Sequence, residues 1–110
     1  MNVKNHFPGQ DGKLETVADG LSRKIGAHND NLMIVEVHFD AGTTAPLHHH
    51  VHEQITYVMS GKFEFTVGDK IYVVGAGDSL YNQPNIEHGA TCLEASTLLE
   101  FSTPHPEAPV

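Results

Sequence analysis

Hydrophobic and polar residues alternate along much of the chain, with a period of two that is typical of β-strands buried on one face. Residues 62–67 show this most clearly, because an aromatic or aliphatic side chain stands at every second position. Gly68 and Asp69 follow as a two-residue hairpin turn into a further strand at 70–74. No segment has helical periodicity beyond one turn. The pattern therefore predicts an all-β protein.

Further short segments repeat the β pattern between turn signals rich in glycine, proline and asparagine. The other predicted strands are 14–18, 21–27, 32–39, 54–60, 79–82, 88–93 and 96–101, with Gly61 turning the chain after 54–60. Many short strands at near-regular spacing are typical of a barrel or a sandwich. We find no internal repeat and predict one domain over residues 1–110, ending in an extended proline-rich tail at 103–110.

The charge and cysteine content exclude several classes of protein. The chain has 14 acidic and 6 basic residues, a net charge of -8, which argues against nucleic acid and anionic membranes as partners. A single cysteine, Cys92, permits no intrachain disulfide, and we expect it to be a small buried hydrophobe. The sequence shows no signal peptide and no apolar run of membrane-spanning length, so we expect a cytoplasmic protein.

A histidine-rich segment at 47–54, Leu-His-His-His-Val-His-Glu-Gln, is the strongest chemical signal. Neutral imidazole is the commonest protein ligand for transition metals. If one strand runs through the segment, His48, His50 and Gln54 share a face, as does His52, which leaves an ambiguity. His88 would join them from a neighbouring strand. Three imidazoles and one amide oxygen predict an open site for one divalent ion: Zn, Ni, Mn, Fe or Co. Gln54 either ligates the ion or hydrogen-bonds a water bound to it.

The spacing of these residues resembles the two motifs of the cupin superfamily. The first motif (42–61) is matched by Gly42-x5-His48-x-His50-x3-Gln54-x6-Gly61, with glutamine in place of the usual glutamate. The second motif (77–92) is matched by Gly77-x5-Gln83-Pro84-Asn85-x2-His88, where Asn85 can adopt the left-handed backbone that glycine normally supplies. The resemblance implies a single-domain cupin, a double-stranded β-helix or jelly-roll barrel, with the metal inside.

Within the cupins, residues 23–104 look like the KdgF-type proteins of pectin and alginate breakdown. Five segments carry this likeness: 27–33 (AHNDNLM), 46–48 (PLH), 52–58 (HEQITYV), 60–65 (SGKFEF) and 83–86 (QPNI). Glutamine as a metal ligand belongs to that family's pattern. The resemblance implies an isomerase-like enzyme that uses a metal as Lewis acid to open cyclic 4,5-unsaturated monouronates, anionic sugar acids, into linear keto-uronates.

The same resemblance suggests roles for residues outside the motifs. Glu100 aligns with an aspartate that is the family's candidate acid/base, and it is either the acid/base here or an ordinary structural carboxylate. Ser102 and Pro106 depart from the pattern, since the family has an aromatic residue and an arginine there. The resemblance therefore supports the metal site more strongly than it supports the substrate.

Three further residues have two possible roles each. His52 either hydrogen-bonds a neighbouring metal ligand and fixes its tautomer, or is a surface residue. Arg23, the only arginine, is a carboxylate clamp or an outer-face charge. Tyr57 lines the substrate pocket or packs in the core with Phe63, Phe65 and Tyr72.

Two other functions remain open from the sequence. An Fe-dependent dioxygenase or lyase would use the same ligands, and O2 consumption would distinguish the dioxygenase. A non-catalytic cupin module would bind a sugar acid or metal without turnover. We also expect a homodimer, because a small β-sandwich has edge strands and apolar faces to cover, and the N-terminal strands are the expected cover.

Overall fold

The computed structural model describes residues 3–103, so most of the predicted tail lies outside the described residues. The described part contains one short 3-10 helix and eight strands, which confirms the all-β prediction. The elements are the 3-10 helix Gly9–Asp11, β1 (Glu15–Ala18), β2 (Leu21–His28), β3 (Met33–Phe39), β4 (Thr44–His48), β5 (Gln54–Val67), β6 (Lys70–Gly75), β7 (Ser79–Asn82) and β8 (His88–Ser102). Over residues 3–103, no helix has the length and apolar character needed to cross a membrane.

All strand pairs are antiparallel, and the two longest strands, β5 and β8, link two layers. The first layer contains β1, β2, β3 and β7, which join residues 96–102 of β8 and 54–60 of β5. The second layer contains β4 and β6, which join residues 88–94 of β8 and 62–67 of β5. Two layers sharing two long strands form the predicted jelly-roll arrangement of a cupin.

The core fills the space between these layers. Val35, Val37 and Leu98 of the first layer and Phe63 and Cys92 of the second are almost completely buried. The Phe39 and Phe63 rings meet edge to face across the core, with centroids 4.9 Å apart. Burial of Cys92 confirms its predicted role.

The aromatic residues of the strands divide between the core and the outside. Phe63 and Phe65 are buried as predicted, whereas Tyr57 and Tyr72 are exposed. The core alternative for these two tyrosines is wrong, because side chains of β5 alternate and Tyr57 points away from the face that carries Gln54 and Thr56.

Gly61 does not end a strand as predicted, because β5 continues through it. The pairing of β5 with β8 shifts register several times between Val58 and Phe63, and Gly61 has φ +94° within this irregular stretch. Such a bulge increases local bending and twist. The bulge lets β5 pass from the first layer to the second. The opposite strand is continuous as well: the two strands predicted at 88–93 and 96–101 are one strand, β8.

Gly61→Ala should destabilise the protein by about 2–4 kcal/mol, combining left-handed backbone strain with overpacking. A Cβ there would overlap the Ser96 side chain and lie 2.7 Å from the Ala95 carbonyl oxygen. The matched control is Gly77→Ala, since Gly77 has φ +92° but no atom within 4 Å of the added carbon. Urea unfolding of both variants measures the difference, and equal losses would contradict steric overlap at Gly61.

Candidate metal centre

Three histidines converge where the two layers open at one end. His48 is the last residue of β4, His88 is the first residue of β8, and these two positions are directly paired. His50 follows in the connection to β5. One ring nitrogen from each of the three lies within 4.8 Å of the others. Their ring centroids are 4.4 Å (His48–His88), 4.7 Å (His50–His88) and 5.6 Å (His48–His50) apart.

No single strand runs through residues 48–54, which was the condition for His48, His50 and Gln54 to share one strand face. β4 ends at His48 and β5 begins at Gln54, so strand parity does not bring His50 and Gln54 together. The connecting segment is held by backbone hydrogen bonds instead: the Asn85 N–H donates to the His50 carbonyl oxygen at 2.8 Å. Asn85 has φ +63°, which confirms its predicted left-handed conformation. The second motif thus helps to position a histidine of the first.

Backbone carbonyls fix the orientation of all three imidazole rings. Nδ1 of His48 lies 3.0 Å from the Pro46 oxygen, Nδ1 of His50 lies 3.0 Å from the His52 oxygen, and Nδ1 of His88 lies 3.2 Å from the Ile86 oxygen. A neutral ring that donates from Nδ1 presents the lone pair of Nε2. This is the arrangement that metal-binding histidines adopt.

The Nε2 atoms test whether a metal ion fits the cluster. Those of His50 and His88 are buried and have no hydrogen-bond partner within residues 3–103. Unpartnered buried nitrogen is unfavourable, and a shared cation would satisfy these atoms together. The donor set and its convergence therefore fit one transition-metal ion, although ligand type alone does not select which.

The electrostatics of the cluster favour neutral imidazoles. Burial lowers the pKa of His88, and the neighbouring His48 and His50 rings lower it further. The pKa of His50 is also lowered, mainly by burial and then by His48, against the opposing effect of its hydrogen bond to His52. Neutral rings are the metal-binding form, so these rings need little deprotonation before they bind.

Gln54 links the histidines to a second polar group on the inner face of the first layer. Its side chain is buried, and its Nε2 donates to Thr56 Oγ1 at 3.2 Å. The same carboxamide interacts with the His50 ring and with the Glu100 carboxylate, where it lowers the pKa of Glu100. Gln54 therefore lies between the candidate ligands and the candidate acid/base.

Glu100 occupies the inner face of β8, directly opposite Val35 of β3 and Thr56 of β5. Its Oε1 atom is buried and has no hydrogen-bond partner in the described chain. Burial raises the pKa of Glu100 to about 7, and Gln54 and Arg23 limit the increase. A carboxyl group with this pKa exchanges a proton readily near neutral pH, as a general acid/base must.

Arg23 lies on the inner face as well, since its β3 partner is the buried Val37. Its Nε atom is buried without a hydrogen-bond partner among residues 3–103, and its charge acts on Glu100. The alternative of an outer-face charge is therefore wrong. The guanidinium supplies positive charge to the same interior that contains the histidines and Glu100.

His52 and Tyr57 take different positions relative to this site. His52 is buried and its ring stacks on His50, with centroids 3.8 Å apart and planes 9° from parallel. It supports the orientation of His50 through this ring contact and through its carbonyl oxygen. Tyr57 lies on the outer face and is not part of the cluster.

Thr56 and Asn82 belong to the site but were not found from the sequence. Asn82 is 2% exposed, its register partner is Gln54, and its Oδ1 is buried without a partner in the described residues. Ser102, the other register partner of Gln54, has an equally unpartnered hydroxyl. Alternation along β5 from Gln54 was the one signal that pointed to Thr56, whereas Asn82 required knowledge of strand pairing.

The pH dependence of stability should report the burial of Glu100. Its folded-state pKa of about 7 exceeds the ordinary 4.5, so the folded state binds the proton more tightly. The resulting contribution to the free energy of unfolding, up to about 3 kcal/mol, is fully present below about pH 4.5 and is lost as the pH rises through 7. Glu100→Gln should remove it, so the metal-free variant gains stability relative to the native sequence between pH 5 and 8. Parallel unfolding curves with a pH-independent difference would contradict this.

Comparison with known proteins identifies the class to which this fold and site belong. Residues 35–100 match the cupin domain family, which covers both histidine motifs, β5 and β8 up to Glu100. The chain belongs to the cupin family. This confirms the resemblance read from the motif spacing.

The similar proteins include members of the KdgF group. The chain is 34% identical to pectin degradation protein KdgF of Dickeya dadantii (strain 3937), over 88% of this chain and 89% of that protein. The structure of KdgF from Halomonas sp. matches with 32% identity, a TM-score of 0.89, and coverage of 96% of this chain and 97% of that one. An RmlC-like cupin from Shewanella frigidimarina matches with 35% identity, a TM-score of 0.88, and coverage of 94% and 95%.

Proposed function

We propose that this cupin is a metal-dependent enzyme that opens the ring of cyclic 4,5-unsaturated monouronates, products of pectin or alginate breakdown, to give linear keto-uronates. The observation that carries the proposal is the placement of Glu100, with a pKa near 7 and an unpartnered oxygen, in the same interior as the histidine cluster. Similarity to KdgF over most of both chains supports the substrate class.

The proposed metal ligands are Nε2 of His48, His50 and His88 and the side-chain oxygen of Gln54. A divalent ion there would supply Lewis acidity toward the carboxylate or ring oxygen of a uronate. Because Gln54 is neutral, the ligand set adds no negative charge, and the site stays attractive to an anion. The Arg23 guanidinium on the inner face adds to this attraction.

Glu100 is the proposed acid/base for the ring opening. The reaction removes the proton of the anomeric hydroxyl, breaks the bond from the anomeric carbon to the ring oxygen, and adds a proton to C4 of the resulting enol. The net change is an isomerisation, so one carboxyl group can take a proton and return one. A pKa near 7 suits both directions of transfer.

The experiment that tests the proposal follows the absorbance of 4,5-unsaturated galacturonate, prepared enzymatically, on mixing with protein of known metal content. The expected result is loss of the ene-acid band faster than the spontaneous reaction. The acceleration should disappear with a chelator and return when metal is restored. No acceleration by the fully metal-loaded protein would overturn the ring-opening proposal.

The same material distinguishes the alternatives. Metal-dependent O2 consumption without ring opening would indicate a dioxygenase. Binding of galacturonate without turnover of any unsaturated uronate would indicate a non-catalytic module. The alginate-derived unsaturated uronate, which is the same compound from mannuronate and guluronate, compared side by side with the galacturonate-derived one, defines the substrate preference.

We further propose that the protein is a cytoplasmic homodimer that uses the outer face of its first layer. Ile55 lies directly between Tyr81 and Phe101 on adjacent strands, and all three side chains are exposed, as is the nearby Tyr57. A cross-strand apolar patch of this kind usually marks an interface. Light scattering should give twice the 12.0 kDa monomer mass, and a monomer would contradict the proposal.

A further inference from the structure

We infer that Thr56 is a positioning residue for the metal centre: its hydroxyl holds the Gln54 carboxamide so that the amide oxygen, rather than the amide nitrogen, faces the histidines. This inference rests on the metal site proposed above, but not on the uronate substrate. It assigns a function to a fully buried polar side chain that is not one of the converging histidines.

The geometry of β5 makes this contact specific. Gln54 and Thr56 are two residues apart on one strand, so both side chains point to the inner face. Thr56 is 0% exposed, and its Oγ1 accepts the hydrogen bond from Gln54 Nε2 at 3.2 Å. Because threonine is branched at Cβ and this one is enclosed, its hydroxyl has little freedom to move away.

The direction of that hydrogen bond determines which end of the carboxamide the metal would meet. A carboxamide has a donor end and an acceptor end, and only the oxygen has a lone pair available to a cation. Thr56 and the Glu100 carboxylate both take up the donor end. The oxygen is then the end that remains for the His50 side of the site, where Gln54 also interacts with the imidazole.

Rotation of the amide by half a turn would place NH2 hydrogens against the cation and remove one ligand. Nothing in the shape of a carboxamide prevents this rotation, since its oxygen and nitrogen are nearly equal in size. In the structure the donor end of the amide is bonded to Thr56 Oγ1, and an ionised Glu100 carboxylate can only accept, so these two neighbours together favour the orientation with the oxygen toward the histidines. Groups that orient metal ligands in this way typically contribute 10–100-fold to metal affinity.

The test is a Co²⁺ titration of the metal-stripped full-length protein, followed by competition with a chelator and by visible absorption. Thr56→Val keeps the shape of the side chain and removes the acceptor, so Co²⁺ should bind about 10–100-fold more weakly, with an altered d–d spectrum. Thr56→Ser keeps the hydroxyl and should restore both affinity and spectrum. A merely structural role for Thr56 would not change the spectrum of bound Co²⁺.

Two controls make the outcome decisive. Thr97→Val makes the same change on β8, where the Thr97 hydroxyl lies 3.2 Å from Nδ1 of His38 and its β5 partner is Ser60, and should leave Co²⁺ affinity as it is. Gln54→Ala sets the full effect of losing the carboxamide. If Gln54→Ala weakens binding but Thr56→Val does not, the positioning role is overturned and the metal site stands. If Gln54→Ala binds Co²⁺ as the native protein does, the amide is not a ligand and the inference fails, whatever the uronate assay shows.

Discussion

His88→Ala will lose its bound metal and its activity together. His88 is buried, and its Nε2 has no hydrogen-bond partner within residues 3–103. It is one of the three described histidines whose ring nitrogens converge. Loss of an outer partner of a ligand already reduces metal affinity 10–100-fold, so loss of the ligand itself should exceed about 100-fold. Elemental analysis of the purified variant and chelator competition measure this directly.

The matched control is His49→Ala. His49 lies between two of the candidate ligands, is exposed, and is not one of the converging histidines. The substitution removes a histidine from the same segment, and the variant should still bind one metal ion per chain. Stoichiometric, tight metal in His88→Ala would show that the ligand set is wrong, whereas equal losses in both variants would mean that the segment binds metal through its histidine content alone.

Glu100→Gln should reduce ring opening by about 10²–10⁴-fold while the metal remains bound. The substitution keeps the size of the side chain and an oxygen able to accept from Gln54, but it removes the exchangeable proton. Since Glu100 is not one of the residues whose metal-binding atoms converge, metal content should stay at one ion per chain. Turnover of 4,5-unsaturated galacturonate by the metal-loaded variant gives the measurement.

The control for charge is Glu94→Gln, on the same strand but exposed. It should turn over substrate at the native rate. An active Glu100→Gln would mean that another group, or water, transfers the proton. A Glu100→Gln variant that lost both metal and activity would place the carboxylate in the support of the metal site rather than in proton transfer.

The fold and the histidine cluster could be predicted because the relevant signals are local. Alternation along each strand predicted the all-β chain, and the spacing of His48, His50 and His88 between glycine-rich turns indicated the cupin motifs. Asn85 was predicted as a left-handed residue from its place in the second motif, and its φ of +63° confirms it.

The remainder of the site depends on pairing between distant strands, which sequence periodicity does not encode. Arg23 has no local pattern that separates an inner from an outer position, and it is its pairing with Val37 that places it inside. Asn82 became visible only as the partner of Gln54. The condition that one strand runs through 48–54 is not met, and a connecting segment whose His50 carbonyl accepts from the Asn85 N–H positions His50 instead.

The long strand β8 has a consequence for how this protein can vary. His88 is its first residue in the second layer and Glu100 is near its end in the first, so one continuous segment sets the span from metal centre to acid. The pairing of β8 with β5 is irregular around Gly61, so this is the place where the spacing between the two residues can change. Under the proposed function, an insertion or deletion there would move Glu100 relative to His88 without altering either residue, and would change which bond of a bound uronate Glu100 can reach.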